Sequence, residues 1–267
     1  MRRLFSATTM LLAVISSASA EVTLPAVFSD SMVLQRGRPV PVWGTAEAGE
    51  SVQVTFAGQA KTARADKQGR WLVKLDALEA GGPHTLTVKG SSRVTVGDVL
   101  VGEVWLASGQ SNMAMTVRRC RDFKTEAAGA DYPRIRMFTV TRHAALKPQP
   151  DCRGNWQVCS PETVGGFSGA AYFFGRRLHR ELDVPVGLIN SSWGGTAIEA
   201  WTSIDVQQKN SRLVDVLATW KETTKPNKNR PANLFNGMIH PLVPFAIRGA
   251  IWYQGERNAR TIASATL

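Results

Sequence analysis

VLVGEVWLASGQSNM, residues 99–113, carries the strongest signal of fold class in the sequence. It is apolar almost without interruption up to Ser108, and a Gly-Gln-Ser-Asn turn ends it. Continuous apolar strands are typical of parallel sheets that other layers cover on both faces. Three later segments, RIRMFTV (134–140), VPVGLIN (184–190) and IRGAIWYQ (247–254), have the same character. The sequence therefore predicts several buried strands in one parallel sheet.

A long helix is predicted between two of these strands. Ser168 is a suitable N-cap for a helix that runs to about residue 182. Apolar residues recur along it at intervals of three to four: Ala170, Ala171, Phe174, Leu178 and Leu182. A second helix is predicted around 213–222, within the otherwise polar stretch 205–233. Alternating strands and helices indicate an α/β/α layer domain, which we assign to residues 99–267.

The preceding region has a different pattern. Between residues 22 and 97, short β-favouring runs such as SVQVTFAG and HTLTVKG alternate with turn signals such as DKQG and EAGGP. Regular short strands with this punctuation are typical of an all-β sandwich. We therefore predict a sandwich domain over 21–98, with Trp43, Phe56 and Trp71 in its core.

The first twenty residues predict export. Arg2 and Arg3 precede an apolar run over 10–15, and Ala-Ser-Ala at 18–20 offers a cleavage site, as in a secretory signal peptide. The apolar run is shorter than the ~20 residues that a membrane-spanning helix needs. We expect signal cleavage after residue 20 and a secreted or periplasmic protein without a membrane anchor.

Charge and metal-ligand chemistry exclude some functions. The formal net charge is +11, but the basic residues are scattered and lack interleaved aromatic residues, which favours a solvated basic face over nucleic-acid binding. The four histidines are scattered and no CxxC motif is present, so we predict no metal and no cofactor.

The three cysteines leave the disulfide state open. They are Cys120, Cys152 and Cys159, an odd number for an exported protein. Cys152 and Cys159 are close enough in sequence to close a small loop. A disulfide between them and three free thiols are the alternatives.

Three loops that follow predicted strands carry groups suited to acyl transfer. Ser111 is a potential nucleophile, although serines are common in loops and the GxSxG motif is absent, since Met113 replaces its second glycine. Gly194 and Gly195 would let a backbone N–H approach a ligand closely, or would form an ordinary tight turn. Gln254 offers an amide donor. Strand C-termini meet at one edge of a parallel sheet, so we predict one site.

Four segments resemble the sialate O-acetylesterase family, an SGNH-type branch of the carbohydrate esterases. They are FSDSMVLQRGRPVPVWGTA, VWLASGQSNMAM, GLINSSWGGTAIEAW and NGMIHPLVPFAIRGAIWYQGE, and the resemblance extends over 22–260. It implies an SGNH-hydrolase-like α/β/α fold without cofactor and an O-acetylated carbohydrate substrate, either sialate or another acetylated glycan. It also implies site roles. Ser111 would be the nucleophile, the N–H groups of Ser111 and Gly195 would form an oxyanion hole with Gln254, and Asn112 and Glu256 would support them.

The chain departs from the family pattern after Glu256. The family's Asp-x-x-His segment, which supplies the general base, is absent, and Arg257 stands where the family has Ser. We assign structural or surface roles to the histidines, which are His84, His143, His179 and His240. The resemblance thus predicts a C-terminally truncated esterase of impaired activity, with an uncovered sheet edge. The alternatives are a catalytically inactive glycan-binding protein and an acetylxylan-type esterase.

Overall fold

A computed structural model describes residues 21–259. The predicted signal peptide (1–20) and the last eight residues (260–267) lie outside this range. The strands are β1 (Val33–Gln35), β2 (Val40–Thr45), β3 (Ser51–Phe56), β4 (Gln59–Arg64), β5 (Arg70–Leu75), β6 (Gly81–Lys89), β7 (Arg93–Gly109), β8 (Tyr132–Thr139), β9 (Trp156–Cys159), β10 (Val186–Ser192) and β11 (Gly249–Tyr253). The α-helices are α1 (Ser111–Ala114), α2 (Phe123–Ala128), α3 (Gly169–Leu182), α4 (Ile204–Gln208) and α5 (Val214–Ala218). None of the helices in 21–259 has the length and apolar character needed to cross a membrane.

Nine strands form one mixed sheet, in the order β4-β3-β6-β7-β10-β8-β9, with β1 and β11 also paired to β7. Strands form at all three predicted positions, as β8, β10 and β11. β8 and β10 are buried as predicted, whereas the prediction of burial was wrong for β11, in which Trp252 and Tyr253 are exposed. The predicted strands pair in parallel, but the sheet as a whole is mixed. The pairs β10–β7, β10–β8 and β11–β7 are parallel, whereas β6–β7 and β8–β9 are antiparallel. The antiparallel pairs arise where β7 continues into the N-terminal strands and where β9 adds to β8 at the end of the sheet.

The 17-residue strand β7 joins the two halves of the protein. Its first half pairs with β6 and, through Leu100 and Val33, with β1. Its second half lies between β10 and β11. Exposed and buried residues alternate before Asp98, and burial is continuous from Val99 to Val104. The expected boundary at residue 98 therefore falls inside a strand, and the division into two domains stays a prediction.

The N-terminal strands form two sheets over a common core. The strands β2 and β5 form a two-stranded antiparallel sheet, while β3, β4 and β6 belong to the large sheet. Buried side chains from both sheets, including Val42 and Val54, share one hydrophobic cluster. Phe56 and Trp71 are buried as predicted, and Trp43 is half-buried with its ring 4.7 Å from that of Phe28. The sandwich architecture stays a prediction.

The strands β8 and β10 of the large sheet are covered on both faces. Neighbouring residues of one strand point to opposite clusters: Met137 and Leu188 pack with α3, whereas Phe138 and Ile189 join the core shared with the N-terminal strands. Short helical segments at Ile198–Trp201 and Phe235–Ile239 contribute to that second core. This is the packing expected of buried strands whose side chains alternate between faces.

The helix predictions were right for one helix and only partly right for the other. The helix α3 begins where predicted, because the Ser168 hydroxyl accepts a hydrogen bond from the Ala171 N–H (3.2 Å). Leu182, expected on its apolar face, is exposed at the last residue of the helix. The second helix covers only Val214–Ala218, after a 3₁₀ turn, and Val214 is exposed, so no continuous apolar face extends it to residue 222.

All three thiols are free, so the disulfide hypothesis was wrong. Cys152 packs against the core shared with the N-terminal strands, whereas Cys159 is buried in the cluster beneath α3. The two side chains therefore lie in different layers.

Candidate functional site

The turn after β7 presents Ser111 to solvent. Gly109 has φ +135°, and a Cβ at this residue would lie 2.1 Å from the carbonyl oxygen of Tyr253 in β11. The N–H of Gln110 donates to that same oxygen (2.9 Å). Ser111 is then the first residue of α1, a position at which the backbone N–H has no acceptor within the helix. The side chain and the N–H of Ser111 are thus both available at the C-terminal end of β7.

The glycine loop after β10 lies against Ser111. The pair Ser192–Gly109 ends the β10–β7 ladder, and the N–H of Trp193 donates to the Gly109 carbonyl (3.1 Å). A Cβ at Gly194 would lie 3.4 Å from Ser111 Oγ, and Gly195 has φ +70°. Among the hydrogen bonds of residues 21–259, neither Gly194 nor Gly195 donates its N–H to a protein acceptor. The structure thus brings two of the three predicted loops together.

The third loop holds the Ser111 turn through Glu256. Glu256 Oε1 accepts a hydrogen bond from Asn112 Nδ2 (2.8 Å), and its Oε2 accepts one from Gln110 Nε2. One carboxylate therefore contacts the residues on both sides of Ser111. The supporting role of Asn112 and Glu256 in catalysis stays a prediction.

Gln254 is placed at the site but is engaged with the protein. Its Nε2 donates to the Thr196 carbonyl (3.1 Å) and to Asn258 Oδ1 (2.8 Å). Asn258 also accepts from the Ile198 N–H (3.0 Å) and donates to both carboxylate oxygens of Glu199. Both amide hydrogens of Gln254 are therefore used within this network. Sequence reasoning missed the roles of Asn258 and Glu199, and only the closeness of Asn258 to Glu256 in sequence pointed to them.

Lys228 is a further residue at the site that sequence reasoning missed. It lies in the polar KPNKNRPAN loop, where we expected a solvated basic face. Its side chain is half-buried, and its Nζ donates to the Gly194 carbonyl oxygen (3.0 Å). The adjacent Asn229 accepts a hydrogen bond from the Ala197 N–H (3.2 Å). Hydrogen bonds therefore join this loop to the glycine loop at Gly194 and to the residue that follows it at Ala197.

The histidines are engaged elsewhere. His84 packs edge-on against Phe56, with ring centroids 5.4 Å apart. His179 Nδ1 and His240 Nδ1 are bonded to the carbonyls of Val184 (2.8 Å) and Gln149 (3.0 Å). His143 lines a cavity with neighbouring loop residues. Within 21–259, no hydrogen bond joins a histidine to Ser111, and no group of three His, Cys, Asp or Glu side chains could hold a metal ion.

Comparison with known proteins defines the class. Residues 101–266 match the family model described as carbohydrate esterase, sialic acid-specific acetylesterase. The human and Sumatran orangutan (Pongo abelii) sialate O-acetylesterases are 35% and 34% identical to this chain, covering 86% of it and 48% of their own lengths. The crystal structure of a carbohydrate acetylesterase from Xanthomonas citri has a TM-score of 0.80 and 39% identity, over 90% of this chain and 52% of that one.

By fold and family, the class is that of the carbohydrate esterases, which are hydrolases. Within that class, the chain belongs to the sialic acid-specific acetylesterase family. It spans about half the length of the relatives it matches.

Proposed function

We propose that this chain carries the nucleophile and oxyanion-hole part of an SGNH-type serine esterase that removes O-acetyl groups from sialic acids or related glycans. The observation that carries the proposal is the position of the exposed Ser111 side chain beside a glycine loop with unbound N–H groups, with Oγ 3.4 Å from where a Cβ on Gly194 would lie. Such groups at the ends of adjacent parallel strands can stabilise a developing oxyanion. The family relatives supply the substrate class, an O-acetylated carbohydrate.

In the proposed reaction, Ser111 Oγ attacks the acetyl carbonyl carbon, and the carbonyl electrons move to its oxygen. The N–H groups of Ser111 and Gly195 donate to that oxyanion. Gln254 Nε2 becomes a third donor once it releases one of its two present acceptors. Collapse of the intermediate breaks the bond to the sugar oxygen, which takes up a proton. Water then hydrolyses the acetyl-serine.

The proton of Ser111 needs an acceptor, normally a histidine oriented by a carboxylate. None of the histidines in 21–259 is hydrogen-bonded to Ser111. We therefore assign water as the acceptor of the Ser111 hydroxyl proton. Oxyanion-hole catalysis without a base can still exceed the uncatalysed rate by about 10³–10⁴-fold. We therefore propose that residues 21–259 on their own turn over substrate slowly.

Turnover of p-nitrophenyl acetate tests the nucleophile. We expect slow hydrolysis by the purified chain, loss of that activity in Ser111→Ala, and parent activity in Ser211→Ala. Ser211 is an exposed serine at the start of a 3₁₀ turn and serves as the matched control. Turnover that survives Ser111→Ala would remove Ser111 from the nucleophile role. Acetate release from O-acetylated sialic acid and from acetylated xylo-oligosaccharides then separates the two esterase substrates.

A glycan-binding protein without catalysis is the second candidate. The observation that favours it is the hydrogen bonding of Gln254 to Thr196 and Asn258, which leaves no free amide hydrogen for an oxyanion. Calorimetry with an O-acetylated glycan tests it. Binding without acetate release supports this candidate, and the absence of binding counts against both.

Export and domain organisation complete the proposal. We propose that residues 1–20 direct secretion or transfer to the periplasm and are removed. The mature protein would then consist of a β-sandwich part followed by an SGNH-type part with α/β/α layers. Intact-mass analysis of the exported protein checks the cleavage, because its first residue should be Glu21.

A further inference from the structure

Lys228 holds one peptide group of the glycine loop. Its Nζ donates to the carbonyl oxygen of Gly194 (3.0 Å), and a Cβ at Gly195 would lie 3.4 Å from the same Nζ. The ammonium group thus lies directly over the peptide that joins the two glycines. A hydrogen bond from an ionised donor is about twice as strong as a neutral one.

The geometry of a trans peptide links this contact to Ser111. The C=O and N–H of one peptide unit lie in a plane and point in opposite directions. The Gly194 carbonyl and the Gly195 N–H belong to the same unit, so fixing the carbonyl on Lys228 directs the N–H away from Lys228. Ser111 lies beside the same glycine pair, because its Oγ is 3.4 Å from the position that a Cβ on Gly194 would occupy.

Two adjacent glycines make such a restraint necessary. Glycine adopts positive and negative φ with similar ease, and Gly195 has φ +70°. The peptide between two glycines can therefore rotate until its carbonyl, rather than its N–H, faces Ser111. A carbonyl oxygen at that position would repel an oxyanion.

We propose that Lys228 is a positioning residue that selects the peptide orientation in which the Gly195 N–H can donate to an oxyanion at Ser111. This inference rests on the proposed function for the role of Ser111 and Gly195. In the described part of the chain, Lys228 bonds to the glycine loop and no hydrogen bond joins it to Ser111. Its ammonium charge also draws electrons from the Gly194 carbonyl and so makes the Gly195 N–H a stronger donor.

The test compares Lys228→Met with Lys225→Met in the full chain. Methionine keeps most of the apolar length of lysine and removes the donor. Lys225 is an exposed lysine of the same loop, so its variant removes the same charge without the contact to Gly194.

The first measurement is the rate at which a fluorophosphonate probe labels Ser111. Labelling is followed by intact mass, with Ser111→Ala as the blank. We expect labelling to slow about tenfold or more in Lys228→Met, because losing one oxyanion donor costs ~10²–10³-fold in rate. Lys225→Met should label at the parent rate.

The second measurement does not depend on catalysis. The NMR order parameter of the ¹⁵N-labelled Gly195 amide should fall in Lys228→Met, because the peptide can then rotate, and should stay at the parent value in Lys225→Met. Gly175 and Gly187, which lie within α3 and β10, report the rigidity of the fold elsewhere and should not change. If they do change, Lys228→Gln, which keeps a neutral donor, replaces the methionine variant, with a smaller effect in the same direction.

The outcomes separate this inference from the proposed function. If the parent labels at Ser111 and Lys228→Met keeps either the parent labelling rate or the parent order parameter at Gly195, the positioning role is wrong and the nucleophile stands. Equal slowing of labelling in Lys225→Met points to net charge and also overturns the positioning role. If the parent itself is not labelled, the nucleophile assignment fails. The order parameter of the Gly195 amide alone then decides whether Lys228 holds the peptide.

Discussion

Glu256 and Ser111 are coupled at the scale of single residues. The Glu256 carboxylate accepts hydrogen bonds from Gln110 and Asn112 and so limits the movement of the turn between them. Hydrogen bonds to charged groups contribute about 1.5–3 kcal/mol each. The orientation of Ser111 thus depends on a side chain that follows another strand.

Glu256→Gln tests this coupling. The amide has one acceptor oxygen in place of two, so one of the two bonds is lost. We expect Ser111 labelling by a fluorophosphonate to fall several-fold and the free energy of unfolding in urea to drop by about 1–2 kcal/mol. Glu222→Gln, at an exposed position, is the control and should change neither. Parent-like labelling in Glu256→Gln would mean that the turn holds its shape without the carboxylate.

The cysteines give a prediction on reactivity. Burial raises the pKa of Cys152 and of Cys159 to about 12, and nearby carboxylates add to the shift. The thiolate is the reactive form, so both thiols should be alkylated slowly at pH 7.5 in the folded protein. Mass spectrometry after iodoacetamide treatment should find three alkylated cysteines in the unfolded, unreduced chain and Cys152 and Cys159 protected in the native chain. A single alkylated cysteine after unfolding would reveal a disulfide.

At the scale of elements, the contact between β7 and β11 sets the position of the site. Gly109 closes this contact, because only a residue without a side chain fits beside the Tyr253 carbonyl. The Gln110 N–H binds that same carbonyl, so the end of β11 and the start of the Ser111 turn move together.

Gly109→Ala should therefore separate the two strands. Positive φ at a residue with a Cβ costs about 1–3 kcal/mol, and the clash with β11 adds to it. We expect a loss of at least this size in urea unfolding, together with loss of Ser111 labelling. Gly166→Ala is the matched control, since nothing lies within 4 Å of its Cβ position, and it should unfold like the parent. An equally stable Gly109→Ala would show that β11 can shift without cost.

Elements with strong local signals were predictable, and contacts between distant loops were not. The strand β7 follows from its continuous apolar run and α3 from its Ser168 cap. The meeting of Ser111 with Gly194 follows from the parallel order of β7 and β10. The contact of Lys228 with Gly194 joins residues 34 positions apart. No sequence pattern predicts this contact, because polar loop residues do not recur at regular intervals. It is visible only in the folded structure.

At the scale of the whole molecule, Asp98 and Arg136 join the N-terminal strands to the C-terminal layers. Asp98 has φ +52° in the middle of β7, and its Oδ1 accepts a hydrogen bond from Arg136 Nη2 (3.1 Å) in β8. The Arg136 side chain is only 6% exposed, so the Asp98 carboxylate compensates a largely buried positive charge. The Ser31 hydroxyl also donates to Asp98 (2.8 Å).

The pair predicts a pH dependence of stability. The hydrogen bond from Arg136 holds the pKa of Asp98 below its ordinary value, against an opposing effect of burial. Because folding lowers this pKa, the ionised Asp98 carboxylate stabilises the folded protein. Its contribution to the free energy of unfolding is complete above the ordinary aspartate pKa of about 3.9 and is lost as pH falls through the lower pKa of the folded protein. Asp98→Asn should cost about 1–3 kcal/mol at pH 7 and much less at low pH.

Urea unfolding from pH 7 down to about pH 3 measures this difference. Asp205→Asn removes a carboxylate at an exposed position of α4 and should stay within about 0.5 kcal/mol of the parent throughout. If Asp98→Asn lowers the free energy of unfolding by the same amount at every pH, the charge of Asp98 does not contribute to stability.

The continuity of β7 restricts how this protein can be divided or recombined. A cut at residue 98 would separate Leu100 from its partner Val33 in β1, and Val99 from its partner His84 in β6. The N-terminal piece would therefore lose the strand that pairs with β1 and part of the strand that pairs with β6. The C-terminal piece would begin inside the strand that carries Ser111. Exchange of either half for a foreign module at this point should yield two misfolded products. The two halves therefore have to be inherited, expressed and engineered as one unit.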